Sequence, residues 1–201
     1  MPADTYLTLA APSEGVYKEK GSKFMAFAYP VASAAEAKAH VERLRKEYFD
    51  ARHHCYAYRL GPAGEDYRAV DDGEPSGTGG RPIHGQLLSA GLTDTLVVVV
   101  RYFGGILLGA AGLANAYRAA ARDALAHAQV AECTIDRHYR LRFPYEAMND
   151  VMRLLRDLGL KPSGPVRYEQ QCELDIAVRL SLVDRFQAAA SQLRSVSVCE
   201  E

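Results

Sequence analysis

The chain has 201 residues, 48% of them hydrophobic and 24% charged, with a formal net charge of -1 and a pI near 6.6. That is an ordinary globular composition, long enough for one large domain or two small ones, and its near-neutral balance excludes a globally basic nucleic-acid binder, leaving room only for a local basic patch. The N-terminus has no basic stretch followed by an apolar run, so no signal peptide is expected. The longest apolar stretch, 95–117, is broken by Arg101 and several glycines and falls short of the ~18 apolar residues of a membrane span. Cys55, Cys133, Cys172 and Cys199 lie far apart with no CxxC pair, the pattern of a reduced, cytoplasmic protein.

Taken in chain order, KFMAFAYPV (23–31) alternates and is aromatic-rich, so it predicts a strand. Ser33 is placed to cap the helix that follows, with Glu36 three residues on, and Ala34, Ala37, Val41, Leu44 and Tyr48 fall on one helical face. HHCYAYRL (53–60) and YRAV (67–70) read as strands joined by a turn with Gly61, Pro62 and Gly64. A polar loop, AVDDGEPSGTGGRPI (69–83), precedes a helix over 82–91 that Gly91 stops. DTLVVVVRYF (94–103) is a β-branched run, the mark of a strand buried on both faces. A glycine-rich turn then leads into a long helix over 112–129, with Leu113, Tyr117, Ala120, Ala124 and Ala128 on one face and Asn115, Arg118 and Arg122 on another.

The remainder has a different rhythm. Strands over 138–145, 164–170, 172–180 and 196–200 alternate with helices over 146–159 and 181–195, the second capped by Ser181 with Asp184. The order β-α-β-β-α-β is the ferredoxin-like unit. The expected organisation is two α+β domains, 1–135 and 136–201.

Three places could carry chemistry. Asp71, Asp72 and Glu74 could hold a hard cation such as Mg²⁺ through carboxylate oxygens. Adjacent acids in an extended chain point opposite ways, so sharing one ion requires a turn, which Gly73 permits. Ser76, Thr78, Gly80 and Arg81 offer hydroxyl, backbone and guanidinium donors suited to an anion, whereas the bland reading is a solvated loop. After the buried strand, Arg101, Tyr102, Gly104, Gly105, Gly109 and Gly112 precede a helix start, where backbone N–H groups receive anions. The spacing fits neither the P-loop nor the dinucleotide fingerprint, and tight strand–helix packing is the competing explanation. His53 and Cys55 share one face of their strand and form a candidate reactive pair; a half-buried histidine beside a small apolar cysteine is the plainer reading. No metal site is predicted on ligand spacing, and no cofactor is required.

DDGEPSGTGGRPI and VVVVRYFGGILLGAAGLANAY, with ARHHCYAYRL upstream, closely resemble the IMPACT family, in particular its bacterial YigZ-type members. The resemblance spans the chain. It implies an IMPACT-like N-terminal domain related to the second domain of a ribosomal small-subunit protein, and to small-molecule kinases and elongation factor G, followed by the ferredoxin-like domain. Eukaryotic members regulate translation by competing for the activator of an initiation-factor kinase. The resemblance therefore implies a non-enzymatic binding protein whose partner is a ribosome, RNA or translation-associated protein. The alternative is a Mg²⁺-dependent enzyme, or a binder of a phosphorylated or nucleotide ligand, at the two glycine-rich loops. Leu107 stands where a lysine is common in the family, and Asn115 where an arginine is common.

Overall fold

The computed structural model describes residues 4–168 and 170–200. The chain divides into two compact units, one spanning 6–133 and one holding 134 onward together with the stretch before residue 6.

In the first unit, β1 (Thr5–Leu9) pairs with β7 (Val130–Thr134), and the remaining strands form one five-stranded sheet. These are β2 (Ser13–Glu19), β3 (Ser22–Pro30), β4 (His53–Leu60), β5 (Asp66–Val70) and β6 (Thr95–Tyr102). Their order is β2-β3-β6-β4-β5, antiparallel throughout. β6 lies at the centre and is buried from Thr95 to Arg101, which is why its sequence does not alternate. The helices are α1 (Ala34–Glu47), α2 (Gly80–Ser89) and α3 (Gly109–Ala126). α1 covers one face of the sheet, packing Ala37, Val41 and Leu44 on Phe27, Tyr58, Val98 and Val100. α2 and α3 cover the other, where Ile83, Leu113, Tyr117 and Ala120 meet Phe24, Cys55, Ala57 and Val99.

Local chemistry sets these boundaries. Ser33 Oγ accepts from Glu36 N at 3.2 Å, as in a capping box, while the Glu36 carboxylate reaches one residue past the cap and accepts from Ala32 N at 2.8 Å. α3 begins at Gly109, three residues before the expected start, because Gly109 and Gly112 are read locally as loop residues. Strands β1, β2 and β7 were not expected. β2 is an edge strand with half-exposed alternation, so its sequence, SEGVYKE, carries little apolar signal. At this edge Val16 N donates to Asp123 Oδ2 at 2.8 Å and Ser13 Oγ donates to Ala124 O at 2.9 Å, both from the end of α3.

The second unit contains β8 (Asp136–Phe143), α4 (Met148–Asp157), β9 (Arg167–Tyr168), β10 (Cys172–Arg179), α5 (Val183–Ala190) and β11 (Ser197–Glu200). Its sheet runs β11-β8-β10-β9, antiparallel. Tyr139, Leu141, Phe143, Leu155, Leu174, Ile176 and Phe186 form its core. The strand expected over 164–170 includes Glu169, which lies outside the described residues. Ser181 does not cap α5: it falls in a single 3₁₀ turn, Leu180–Leu182, and no side chain caps the helix at Leu182.

Candidate functional site

Register places the two chemical strands side by side. β4 and β6 pair with His53 opposite Arg101, so both side chains stand at the same end of the sheet, where the polar loop closes over them. The loop turns at Asp72 (φ 46°) and Gly73 (φ 86°), and its carboxylates diverge to three different sets of donors.

Asp71 points back into its own loop. It accepts from Gly77 N at 2.8 Å and from Gly79 N and Gly80 N at 2.9 Å. Burial opposes its charge, but the three backbone donors outweigh burial and hold its carboxyl below the ordinary pKa. The start of α2 receives its anion from within the chain. Asp72 accepts from Arg45 Nη2 at 2.6 Å and from His54 N at 2.7 Å, while its carbonyl lies 2.9 Å from His53 Nδ1. Glu74 is buried, and its Oε1 accepts from Arg101 Nη1 at 2.5 Å and from the Tyr117 hydroxyl at 2.8 Å, with His53 Nε2 at 3.9 Å. The Arg101 guanidinium lies over the rings of Phe24 and Phe103, 5.5 and 5.7 Å from their centroids. Burial pushes the Tyr117 hydroxyl far up in pKa, so it stays a neutral donor.

The two motifs thus meet in one buried network: Glu74 of the first loop bonds Arg101 of β6 and Tyr117 of α3. Each carboxylate already has its donors. Among the described residues no group of three or more His, Cys, Asp or Glu is placed to hold a metal ion. Arg81, the guanidinium expected to suit an anion, is exposed and forms no ion pair with a described residue. Ser76 is exposed, whereas Thr78 is buried with its hydroxyl donating to Pro75 O at 2.6 Å. Cys55 is fully buried and its thiol donates to Asp71 O at 2.9 Å. Burial pushes that thiol well up in pKa, and the neighbouring carboxylates push the same way. The pair of His53 and Cys55 is therefore divided by role: His53 bridges the Asp72 carbonyl towards Glu74, and Cys55 is a protonated donor.

The second motif has a different character. The Tyr102 hydroxyl donates to Asp50 at 2.7 Å, an interaction that pushes its pKa up to about 12. Gly104 sits against the β2–β3 turn, its N–H donating to Ser22 Oγ at 3.1 Å; a Cβ there would fall 1.9 Å from Gly21 C. Beyond it the loop turns outward, with Gly105 and Gly109 at positive φ and Phe103, Ile106 and Leu107 exposed by 50%, 55% and 83%. No side chain caps α3 at Leu108, and Ala110 and Ala111 of its first turn are exposed. Arg45, which anchors Asp72, was not foreseen. It lies in the last turn of α1, 27 residues from its partner, and no local pattern links the two.

Fold and site together define a mixed α/β protein of two units whose signature loop is locked into the sheet by internal charge pairs. A sequence profile of the Impact N-terminal domain matches residues 20–125. The IMPACT family member YigZ of Escherichia coli K12 is 39% identical over 155 residues, 76% of each chain. The IMPACT family member YvyE of Bacillus subtilis 168 is 35% identical over 153 residues, 76% of this chain and 70% of that one. A Thermus thermophilus IMPACT family member is 44% identical over 135 residues, 67% of this chain and 72% of its own. A crystal structure described as that of a hypothetical protein covers 98% of this chain and 97% of its own, at 34% identity and a TM-score of 0.74. The chain belongs to the IMPACT family. No described helix is long and apolar enough to cross a membrane.

Proposed function

We propose that this chain is a cytoplasmic binding protein acting in translation or its regulation, without catalysis of its own. We read the 136–201 part as a ferredoxin-like domain, supported by its sheet order, and the first part as kin to the second domain of a ribosomal small-subunit protein. Family membership supports the translational role. The observation that carries the binding reading is the division of labour between the motifs. The three carboxylates of the first loop are consumed inside the fold, while the second motif turns Phe103, Ile106 and Leu107 outward beside a helix start that no side chain caps. Saturated carboxylates suit a scaffold, and an exposed apolar loop suits a macromolecular partner such as the ribosome, RNA or a translation-associated protein. The test is sedimentation of the purified protein with ribosomes and pulldown against rRNA and named translation factors, comparing wild type with Leu107→Glu. Enrichment of a translation component that the variant loses supports the reading; no enrichment with any of them refutes it.

The open start of α3 favours one second reading, a phosphorylated or nucleotide ligand at the two glycine loops, with Mg²⁺ as its counter-ion. A thermal-shift series with nucleotides and Mg²⁺ tests it, because a ligand of the native state raises the midpoint.

A further inference from the structure

A different part of the first unit carries a second candidate site. Between α1 and the outer half of the sheet, at β4 and β5, lies a cavity of about 400 Å³. Its lining includes Val41, Tyr56 and Tyr58, with the charged Lys38, Glu42, Arg45 and Arg68. The size suits a small organic ligand, and an apolar floor with a few convergent charges is the usual make-up of such a site. Arg45 is fixed by two acids, Nη1 on Glu42 at 2.9 Å and Nη2 on Asp72 at 2.6 Å, so its own charge is fully taken up and it forms a fixed wall. Lys38 and Arg68 form no ion pair with any described residue. They approach the cavity from different elements, α1 and β5, and supply two positive charges against the single surplus negative charge of the Glu42–Arg45–Asp72 wall.

We propose that this cavity binds a small phosphomonoester carrying an aromatic ring, of the size of a nucleoside monophosphate, with phosphate held between Lys38 and Arg68 and the ring on the tyrosine floor. A phosphomonoester carries about -1.5 to -2 charges at neutral pH, and Lys38 and Arg68 are the two cations of the lining with no ion-pair partner among the described residues to receive it. Lysine and arginine are both established phosphate donors, and a tyrosine face accepts a base of any sequence. The site also gives the signature loop a task. Asp72, held at positive φ, fixes Arg45 against the cavity and the N–H of His54 in β4. The site lies apart from the glycine loops and does not depend on the translational reading.

The test is calorimetric titration of the full chain with three probes: adenosine 5′-monophosphate, ribose 5-phosphate and inorganic phosphate. The expected order places the nucleotide at least about tenfold tighter than ribose 5-phosphate, the increment of one base–aromatic contact. Lys38→Ala and Arg68→Ala each weaken nucleotide binding about tenfold, and both side chains are exposed, so the fold survives their removal. Equal affinity for the three probes overturns the ring contact. Nucleotide binding unchanged in the Lys38→Ala/Arg68→Ala double variant overturns the site, as does the absence of binding up to about 10 mM, weaker than the millimolar end of the affinity scale.

Discussion

Arg101→Met is the most direct probe of the network that joins the two motifs. The Arg101 and Glu74 side chains are 7% and 3% exposed, so the pair is shielded from water. Methionine keeps an apolar stem against Phe24 and Phe103 and removes only the charge. Glu74 is then left with the Tyr117 hydroxyl and a histidine nitrogen at 3.9 Å. Breaking a buried pair from one side costs ~3–5 kcal/mol, because the remaining charge stays buried without its counter-ion. That is a large part of the ~5–15 kcal/mol that keeps a domain folded. Urea denaturation followed by far-UV circular dichroism reads the change as a lower midpoint at constant slope. The double variant Glu74→Gln/Arg101→Met recovers a good part of the loss, since a neutral amide tolerates burial and still bonds Tyr117. A loss below ~1 kcal/mol for Arg101→Met, the range of exposed pairs, refutes the view that this contact organises the site.

Asp71→Asn replaces an anion facing three backbone N–H groups and destabilises the protein by ~1–3 kcal/mol at neutral pH, measured by the same denaturation. The folded pKa of Asp71 is depressed, so its contribution is full above the unfolded value of ~3.9 and is lost as pH falls through the lower folded value; wild type and variant converge only in that acid range. Gly80→Ala places a Cβ 2.3 Å from Val70 N, a backbone atom that has no easy way to move, and costs roughly 1–3 kcal/mol. Gly85→Ala in the same helix meets nothing within 4 Å and instead raises stability by roughly 0.5–1 kcal/mol, so equal effects at the two glycines refute the packing argument. Iodoacetamide near neutral pH modifies exposed Cys199 well before buried Cys55, as mass spectrometry of partly labelled protein reads; preferential labelling of Cys55 contradicts its environment.

Elements that bury a strong periodic face were legible in the sequence. The β-branched run of β6 and the Ser33-capped α1 both lie where composition and capping place them, because local preference and tertiary packing agree there. β2 was illegible for the opposite reason: an edge strand half in water needs only weak alternation. The start of α3 was misjudged because a glycine at a helix start and a glycine in a loop look alike along the chain. Within the site, the residues that meet, Glu74 of the first motif and Arg101 of the second, were both legible as charged members of their motifs. The divergence of Asp71 and Asp72 follows from their being neighbours. The N–H cage around Asp71 and the role of Arg45 were not legible, since both depend on how distant backbone returns to the loop.

The clasp at β2 bears on how this protein behaves at high concentration. A sheet ends in a strand whose outward N–H and C=O groups are a template for a strand from any other molecule. Here the Val16 N–H that faces outward is already taken by Asp123, and the end of α3 lies across the strand closely enough that a Cβ on Gly15 would fall 2.2 Å from Ala124 N. The helix that begins at the exposed motif thus ends by covering the β2 edge of the sheet, and on that side an incoming strand finds the template occupied.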